Sequence, residues 1–228
     1  IIAISEFLYE HYRNQGCNVI RLPALVYDFA DKDQVFRDRD VVKLHQVRLV
    51  FAGTTDFKDY LEPILKAIRK MNDAEIKIIF DVVGPSPDAI ESMLECSSPT
   101  QYGINCYGRL SHENTLSIVR KADFSVLMRE NKRYAKAGVS TKFVEAMSLA
   151  VPSICTAVGG TDAFVSDGVD GFLIKDNSVY EILDKLELIV NMDSSEILQM
   201  KLNALNKAKH VFSEDQYFEV TKLFLKGK

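Results

Sequence analysis

An α/β fold, specifically a doubly wound parallel sheet, is what this 228-residue chain predicts, on three observations. Short, nearly continuous apolar runs recur along it, as expected of strands covered by helices on both faces. Helix-length segments with spaced apolar positions separate those runs, and repeated βα units of this length build parallel sheets. A composition of 47% hydrophobic and 26% charged residues suits a chain with a substantial core.

The elements follow in order. Residues 1–27, IIAISEFLYEHYRNQGCNVIRLPALVY, read as strand, helix, strand. A lone βαβ piece cannot bury both faces of its strands, so it calls for a larger sheet than this segment supplies. Residues 28–45 are polar and charge-rich, as a linker would be. The repeat then begins, with strands expected at VRLVFAG (47–53), IKIIFDVVG (76–84), INCYGRL (104–110), FSVLMRE (124–130), SICTAVG (153–159) and GFLI (171–174). Helices are expected over 59–71, 86–96, 112–122 and 141–150 between them, and over 178–190, 194–211 and 214–226 beyond the last strand. The opening Ile-Ile, without a methionine, reads as a fragment.

Bulk properties exclude several classes. A formal net charge of −4 argues against general nucleic-acid binding. The apolar runs are strand-sized, far short of a bilayer span. Cys17, Cys96, Cys106 and Cys155 show no CxxC spacing, and three of them sit in apolar or strand-like surroundings, so buried free thiols and a reducing, cytoplasmic location are expected. The DRD triplet at 38–40 reads as a solvated charge run, so no metal site is expected.

In an open parallel sheet, ligands bind at the carboxyl ends of the strands. Neither GxGxxG nor GxxxxGK[ST] occurs at any turn there, which disfavours a standard dinucleotide or P-loop site. AVGGTDAF (157–164) is the best phosphate candidate by pattern. Gly159 and Gly160 allow close backbone approach, and a following helix at Thr161 would aim N–H groups at an anion. A tight turn with glycines for packing alone fits the same pattern. Residues 129–142 carry five basic side chains against Glu130, a net of +4 in a chain of net −4. Arg129 ends an apolar run and Lys142 opens a helix, which favours function for these two. Lys132 and Lys136 read as solvated. Glu145 lies off the apolar stripe of Phe143, Met147 and Ala150. It could pair with Lys142 on the surface or accept both hydroxyls of a ribose.

The block KFVEAMSLAVPSICTAVGGTDAFVSDGVDGFLI resembles the signature region of the retaining glycosyltransferases of the GT-B fold, family 4 (glycosyl transferases group 1). RLVFAGTTDFKDYLEPILKAI, DVVGPSP and YGRLSHENTLSIVRKADFSVL are similar to further parts of that family's C-terminal domain. The resemblance implies a Rossmann-like sheet forming the C-terminal half of a two-domain architecture. Residues 1–27 would then be the tail of the N-terminal domain, 28–45 the linker and 46–212 the donor-binding domain. Residues 213–228 would form a terminal helix crossing back.

The resemblance also implies roles. Glu145 matches the second acid of the family's E-x7-E motif and would bind the ribose; the first acid's place holds Ala137. Arg129 and Lys142 would face the diphosphate as catalytic cations. Thr54 stands where the family has Arg, and Lys58 stands in for its Lys. Gly53, Gly84, Arg109, Leu110, Thr141, Gly159, Gly160 and Thr161 complete the implied nucleotide-sugar site.

The implied ligand is a UDP- or GDP-hexose, with no other cofactor. The acceptor is a glycan or a lipid-linked glycan, held by an N-terminal domain outside this chain. The implied setting is bacterial surface-polysaccharide assembly in the cytoplasm, extending to peripheral association with the inner face of the plasma membrane. Alternatives are a non-catalytic nucleotide-sugar-binding partner, a nucleotide-sugar 2-epimerase and, more distantly, an NAD-binding domain.

Overall fold

The structure, a computed structural model, describes residues 1–33, 35, 46–54, 59–158 and 160–227. Six strands form the main sheet: β3 (Val47–Ala52), β4 (Ile78–Val83), β5 (Ile104–Gly108), β6 (Phe124–Leu127), β7 (Ser153–Thr156) and β8 (Gly171–Ile174). Their order is β5-β4-β3-β6-β7-β8, all parallel. The order reverses direction beside β3, which makes the β3/β6 junction the point where crossovers pass to opposite faces.

Most strands stop short of the apolar runs that announce them. β3 ends at Ala52, β4 at Val83, β6 at Leu127 and β7 at Thr156. The trailing residues Gly53, Gly84, Met128–Glu130 and Ala157–Val158 turn outward at the carboxyl edge. Single bonds continue past the strand ends: the Gly53, Gly84 and Ala157 N–H groups still donate to the Val83, Gly108 and Ile174 carbonyls at 2.9, 2.7 and 3.2 Å.

Helices cover both faces. On one lie α2 (Glu62–Met71), α3 (Pro87–Leu94) and α8 (Val179–Val190). They bury Ile64, Leu65, Ile68, Ile90, Ile182, Leu186 and Ile189 against Leu49, Phe51, Phe80, Val82, Phe124 and Ile154. On the other lie α4 (His112–Arg120), α6 (Thr141–Ser148) and α9 (Ser194–Val211). There Phe143, Met147, Ala204, Ala208 and Phe212 form one cluster, and Val50, Val119, Ala146 and Leu149 another. Two short helices, α5 (Arg133–Lys136) and α7 (Thr161–Phe164), sit in the loops at the carboxyl edge.

The polar residue within the β4 run is satisfied. Asp81 is buried and accepts from Arg48 Nη1 at 2.6 Å, Asn105 Nδ2 at 2.9 Å and Tyr107 Oη at 3.2 Å. Burial, with the Asp81 carboxylate beside it, pushes the Tyr107 hydroxyl above its usual range.

Residues 1–27 do form strand, helix, strand: β1 (Ile2–Ala3), α1 (Glu6–Arg13) and β2 (Ile20–Arg21). The two strands pair only with each other, as a separate parallel sheet, so the larger sheet this piece calls for is not supplied by the described residues. The piece is nonetheless tied to the main body. The Val26 N–H donates to the Phe212 carbonyl at 2.9 Å, and Ile4, Ala24, Val26 and Phe29 pack on the Phe143–Phe164–Phe212 cluster.

The helix expected over 214–226 is interrupted. A 3₁₀ turn spans Glu214–Gln216, and α10 covers Phe218–Leu225 with none of its residues buried. Among the described residues no helix is long and apolar enough to cross a membrane.

Candidate nucleotide site

A cavity of about 400 Å³ opens at the carboxyl edge, a size suited to a small-molecule ligand. The ends of β3, β4, β5 and β6 line it, together with α4 and the first two turns of α6. Among the residues expected at a nucleotide-sugar site, Gly53, Gly84, Arg109, Leu110, Lys142 and Glu145 line this cavity.

Three structural decisions shape its floor. Gly84 has φ +118, and a Cβ there would run into the Gly53 carbonyl oxygen. Gly84 therefore lets the ends of β3 and β4 approach closely. A Cβ on Gly53 would collide with Lys142 Nζ, so this glycine makes room for a lysine from α6 rather than for the ligand directly. Lys142 also lies 5.6 Å from the centre of the Phe51 ring, a cation–π distance.

Lys142 is one arm of a buried ionic group. Asp59, 6% exposed, accepts from Arg129 Nε at 2.9 Å and from the Lys142 ammonium. Sequence reading missed Asp59. Its partners lie 70 and 83 residues away, and no local pattern marks an acid at the start of a helical segment as anything but a capping residue. The surface pairing of Lys142 with Glu145 is corrected accordingly: Lys142 turns to Asp59, and Glu145 stands 3.9 Å from His112 Nε2. The Glu145 side chain is 39% exposed and lines the cavity, in keeping with its place off the apolar stripe.

The backbone around Arg129 is clamped. Its N–H donates to Thr156 Oγ1 at 2.9 Å, and its carbonyl accepts from Asn177 Nδ2 at 3.3 Å. Next to it, Lys132 pairs with the half-buried Glu130. Hydrogen bonds from Lys132 and Tyr60 hold the Glu130 carboxyl below its ordinary value, and Glu130 in turn raises Lys132.

The N-terminus of α6 has no side-chain cap. Ser140 is its N-cap by backbone conformation, yet its side chain caps no N–H. The Ser140 hydroxyl is buried and has no hydrogen-bond partner among the described residues. Uncapped first-turn N–H groups and the dipole together favour negative charge there.

Of the 159–161 segment, the structure describes Gly160 and Thr161. Gly160 has φ +80 and opens the four-residue α7, but neither Gly160 nor Thr161 lines the cavity. The Thr161 hydroxyl lies 2.7 Å from the Thr156 carbonyl and 2.9 Å from that of Val158, so it closes the turn on itself. Lys58 and Gly159 fall outside the described residues, as does the DRD triplet at 38–40.

Thr141 lines a second hollow of about 310 Å³, walled by residues 24–28 on one side and by α4 and α6 on the other. His112, Leu116 and Glu145 line both hollows and so stand between them.

Residues 46–191 match the family described as Glycosyl transferases group 1. The chain belongs to that family. Glycosyltransferase MJ1178 of Methanocaldococcus jannaschii, itself uncharacterized, is 32% identical over 193 residues, 84% of this chain and 50% of that protein. The chain spans about half the length of the curated relatives it matches. Among solved structures, HepE of Anabaena in complex with UDP superposes with a TM-score of 0.76 at 15% identity, over all of this chain and 63% of that one. WaaG, a glycosyltransferase involved in lipopolysaccharide biosynthesis, gives 0.70 at 17% identity, over 100% of this chain and 62% of its own. These likenesses establish the fold as that of the Rossmann-like domains of GT-B glycosyltransferases.

Proposed function

We propose that this chain is the donor-binding, C-terminal part of a retaining family 4 glycosyltransferase that transfers a hexose from UDP- or GDP-hexose. The observation that carries this reading is the convergence of Gly53, Gly84, Lys142 and Glu145 on one cavity, with the uncapped start of α6 next to Lys142 in the chain. HepE binds UDP, and UDP-glucose in a further complex, which supports a nucleotide-sugar donor by analogy of fold.

The residues divide the work by chemistry. Glu145 accepts the ribose hydroxyls, while the turns at Gly84 and at Arg109–Leu110 flank the base. The diphosphate lies toward Lys142 and the α6 N-terminus, with Arg129 behind them. When the glycosidic bond breaks, negative charge develops on the β-phosphate. Preset N–H dipoles and cations stabilise that charge with no reorganisation at the moment of reaction, which lets the departure proceed without a metal.

Acceptor contacts fall to an N-terminal domain beyond residues 1–27, and the fragment alone is inactive in transfer. Residues 28–45 are the linker, and the exposed apolar side chains of α10 (Phe218, Val220, Leu223) fit the crossing back to that domain. A glycan or lipid-linked acceptor in surface-polysaccharide assembly, at the inner face of the plasma membrane, completes the reading. WaaG, with its role in lipopolysaccharide biosynthesis, supports that setting by analogy.

Calorimetric titration with UDP, GDP, ADP and dTDP, with and without EDTA, tests this. Preferential, EDTA-insensitive binding of one of them is expected, weakened in Glu145→Ala. Binding of none overturns the donor site. A second reading, a non-catalytic nucleotide-sugar partner, draws on Ala137, which stands where the resemblance places a Glu. Its carbonyl accepts from Ser5 Oγ at 3.0 Å. Donor turnover by the longer natural protein would exclude that reading.

A further inference from the structure

We propose that Asp59 is a positioning residue: its buried carboxylate fixes Arg129 and Lys142 as a rigid pair that reads the β-phosphate of the donor. The inference rests on the nucleotide-binding role proposed above for this cavity and assigns to it an acidic residue that neither sequence pattern nor resemblance singled out.

The geometry is specific. Asp59 spends one oxygen on each cation, Oδ1 on Arg129 Nε and Oδ2 on Lys142 Nζ, and its side chain is 4% exposed. The bond from Arg129 uses Nε, which keeps the two terminal nitrogens out of it. All three residues are held by their own backbones or neighbours. Beside Asp59, the Tyr60 N–H donates to the Met128 carbonyl at 2.8 Å, and Leu61 is buried. Arg129 is held by Thr156 and Asn177, and Lys142 by the α6 backbone and the space above Gly53. Asp59 therefore links the end of β6, the approach to α2 and the start of α6 through one carboxylate.

The charge balance gives this arrangement a consequence. Two cations and one carboxylate leave the group at a formal +1. An unpositioned pair of cations would attract any phosphate, including a single one, by charge alone. A pair held at a set spacing favours the second phosphate, because charge-assisted bonds depend on direction as well as sign. Asp59 thus lowers general anion affinity and raises discrimination for a diphosphate over a monophosphate.

The test is a ratio of affinities. Calorimetry on this chain first selects the nucleoside diphosphate that wild type binds tightest among UDP, GDP, ADP and dTDP, then measures the matching monophosphate. In Asp59→Asn the diphosphate-to-monophosphate ratio falls, by roughly tenfold for one misdirected charged hydrogen bond, while the monophosphate binds as tightly as before or tighter. Asp59→Glu keeps the charge and moves it by one methylene. The ratio falls there too, which a bare counter-ion role would not produce. If either folded variant keeps the wild-type ratio, the inference is overturned while the donor site stands. If wild type binds none of the four diphosphates, the proposed function itself fails. Circular dichroism and melting of each variant separate loss of fold from loss of discrimination. Should Asp59→Asn not fold, the Asp59→Glu ratio alone decides.

Discussion

Serine stands at the N-cap of several helices in this chain, and it does two different things. At α1, α3, α4 and α8 the hydroxyls of Ser5, Ser86, Ser111 and Ser178 each accept the N–H three residues on, at 3.3 Å. At α6, Ser140 has the same extended backbone but leaves the first-turn N–H groups uncapped. The contrast with α9 is sharper. There Asp193 and Glu196 form a full capping box, with the Glu196 N–H at 2.9 Å from Asp193 Oδ1 and the Asp193 N–H at 2.8 Å from Glu196 Oε2. A filled N-terminus stabilises its helix; an open one, set over a cavity beside Lys142, is available to an anion. The α9 terminus is thus closed by Asp193 and Glu196, whereas the serine at α6 leaves its terminus open.

The largest expected effect breaks the frame that holds the open end in place. Gly84→Ala must place a Cβ against the Gly53 carbonyl at φ +118, so it should cost about 3 kcal/mol of stability. Chemical denaturation reads this directly, and an unchanged midpoint would contradict the close approach of β3 and β4.

Next comes the cation beside the open end. Lys142→Ala should weaken nucleoside diphosphate binding by roughly tenfold to a hundredfold, the worth of one charged hydrogen bond. Gly53→Ala should approach the same loss by displacing Lys142. Gly138→Ala, where an added Cβ meets nothing within 4 Å, serves as the control and should bind like wild type.

Two variants separate the closed cap from the open one. Asp193→Ala should cost about 1 kcal/mol and leave nucleotide affinity unchanged. That corresponds to roughly 2–4 °C of melting temperature at this chain length. Ser140→Ala removes no cap bond, so its melting temperature should stay within about 1 °C of wild type. The opposite order of melting temperatures would mean that Ser140 caps α6 after all.

The last effect appears only at high pH. Burial pushes the Cys155 thiol from its ordinary 9.0 up to about 12. The folded state therefore favours the neutral thiol. That contribution is fully present below pH 9.0 and is lost as pH rises through about 12. Wild type should lose stability more steeply than Cys155→Ala across that window, and parallel melting curves would argue against the shift.

Much of the fold was legible in residue order. The run GFLI gave β8 to the residue, and the 194–211 periodicity gave α9 to the residue. Boundaries failed where apolar side chains continue past the ladder, as at FSVLMRE, whose last three residues leave β6 for the turn. The helix over 214–226 failed because local periodicity cannot see the break at Tyr217, whose hydroxyl donates back to the Val211 carbonyl at 2.9 Å. Of the site, Glu145 and Lys142 stood out by position on their helix. The glycines at 159–160 left two readings open, since a turn that binds an anion and one closed by its own threonine share the same residues.

The sequence by itself determined the alternation of strands and helices, because burial on a sheet or a helix imposes periods of a few residues. It also marked the family, through a block whose residues lie side by side in the chain. Tertiary structure alone decided that Asp59 faces Arg129 and Lys142, that Gly53 yields space to a lysine on another element, and that Ser140 leaves α6 open. Parallel crossovers bring the carboxyl ends of distant strands to one edge. What meets there is fixed by the geometry of the whole sheet, and no short-range pattern records it.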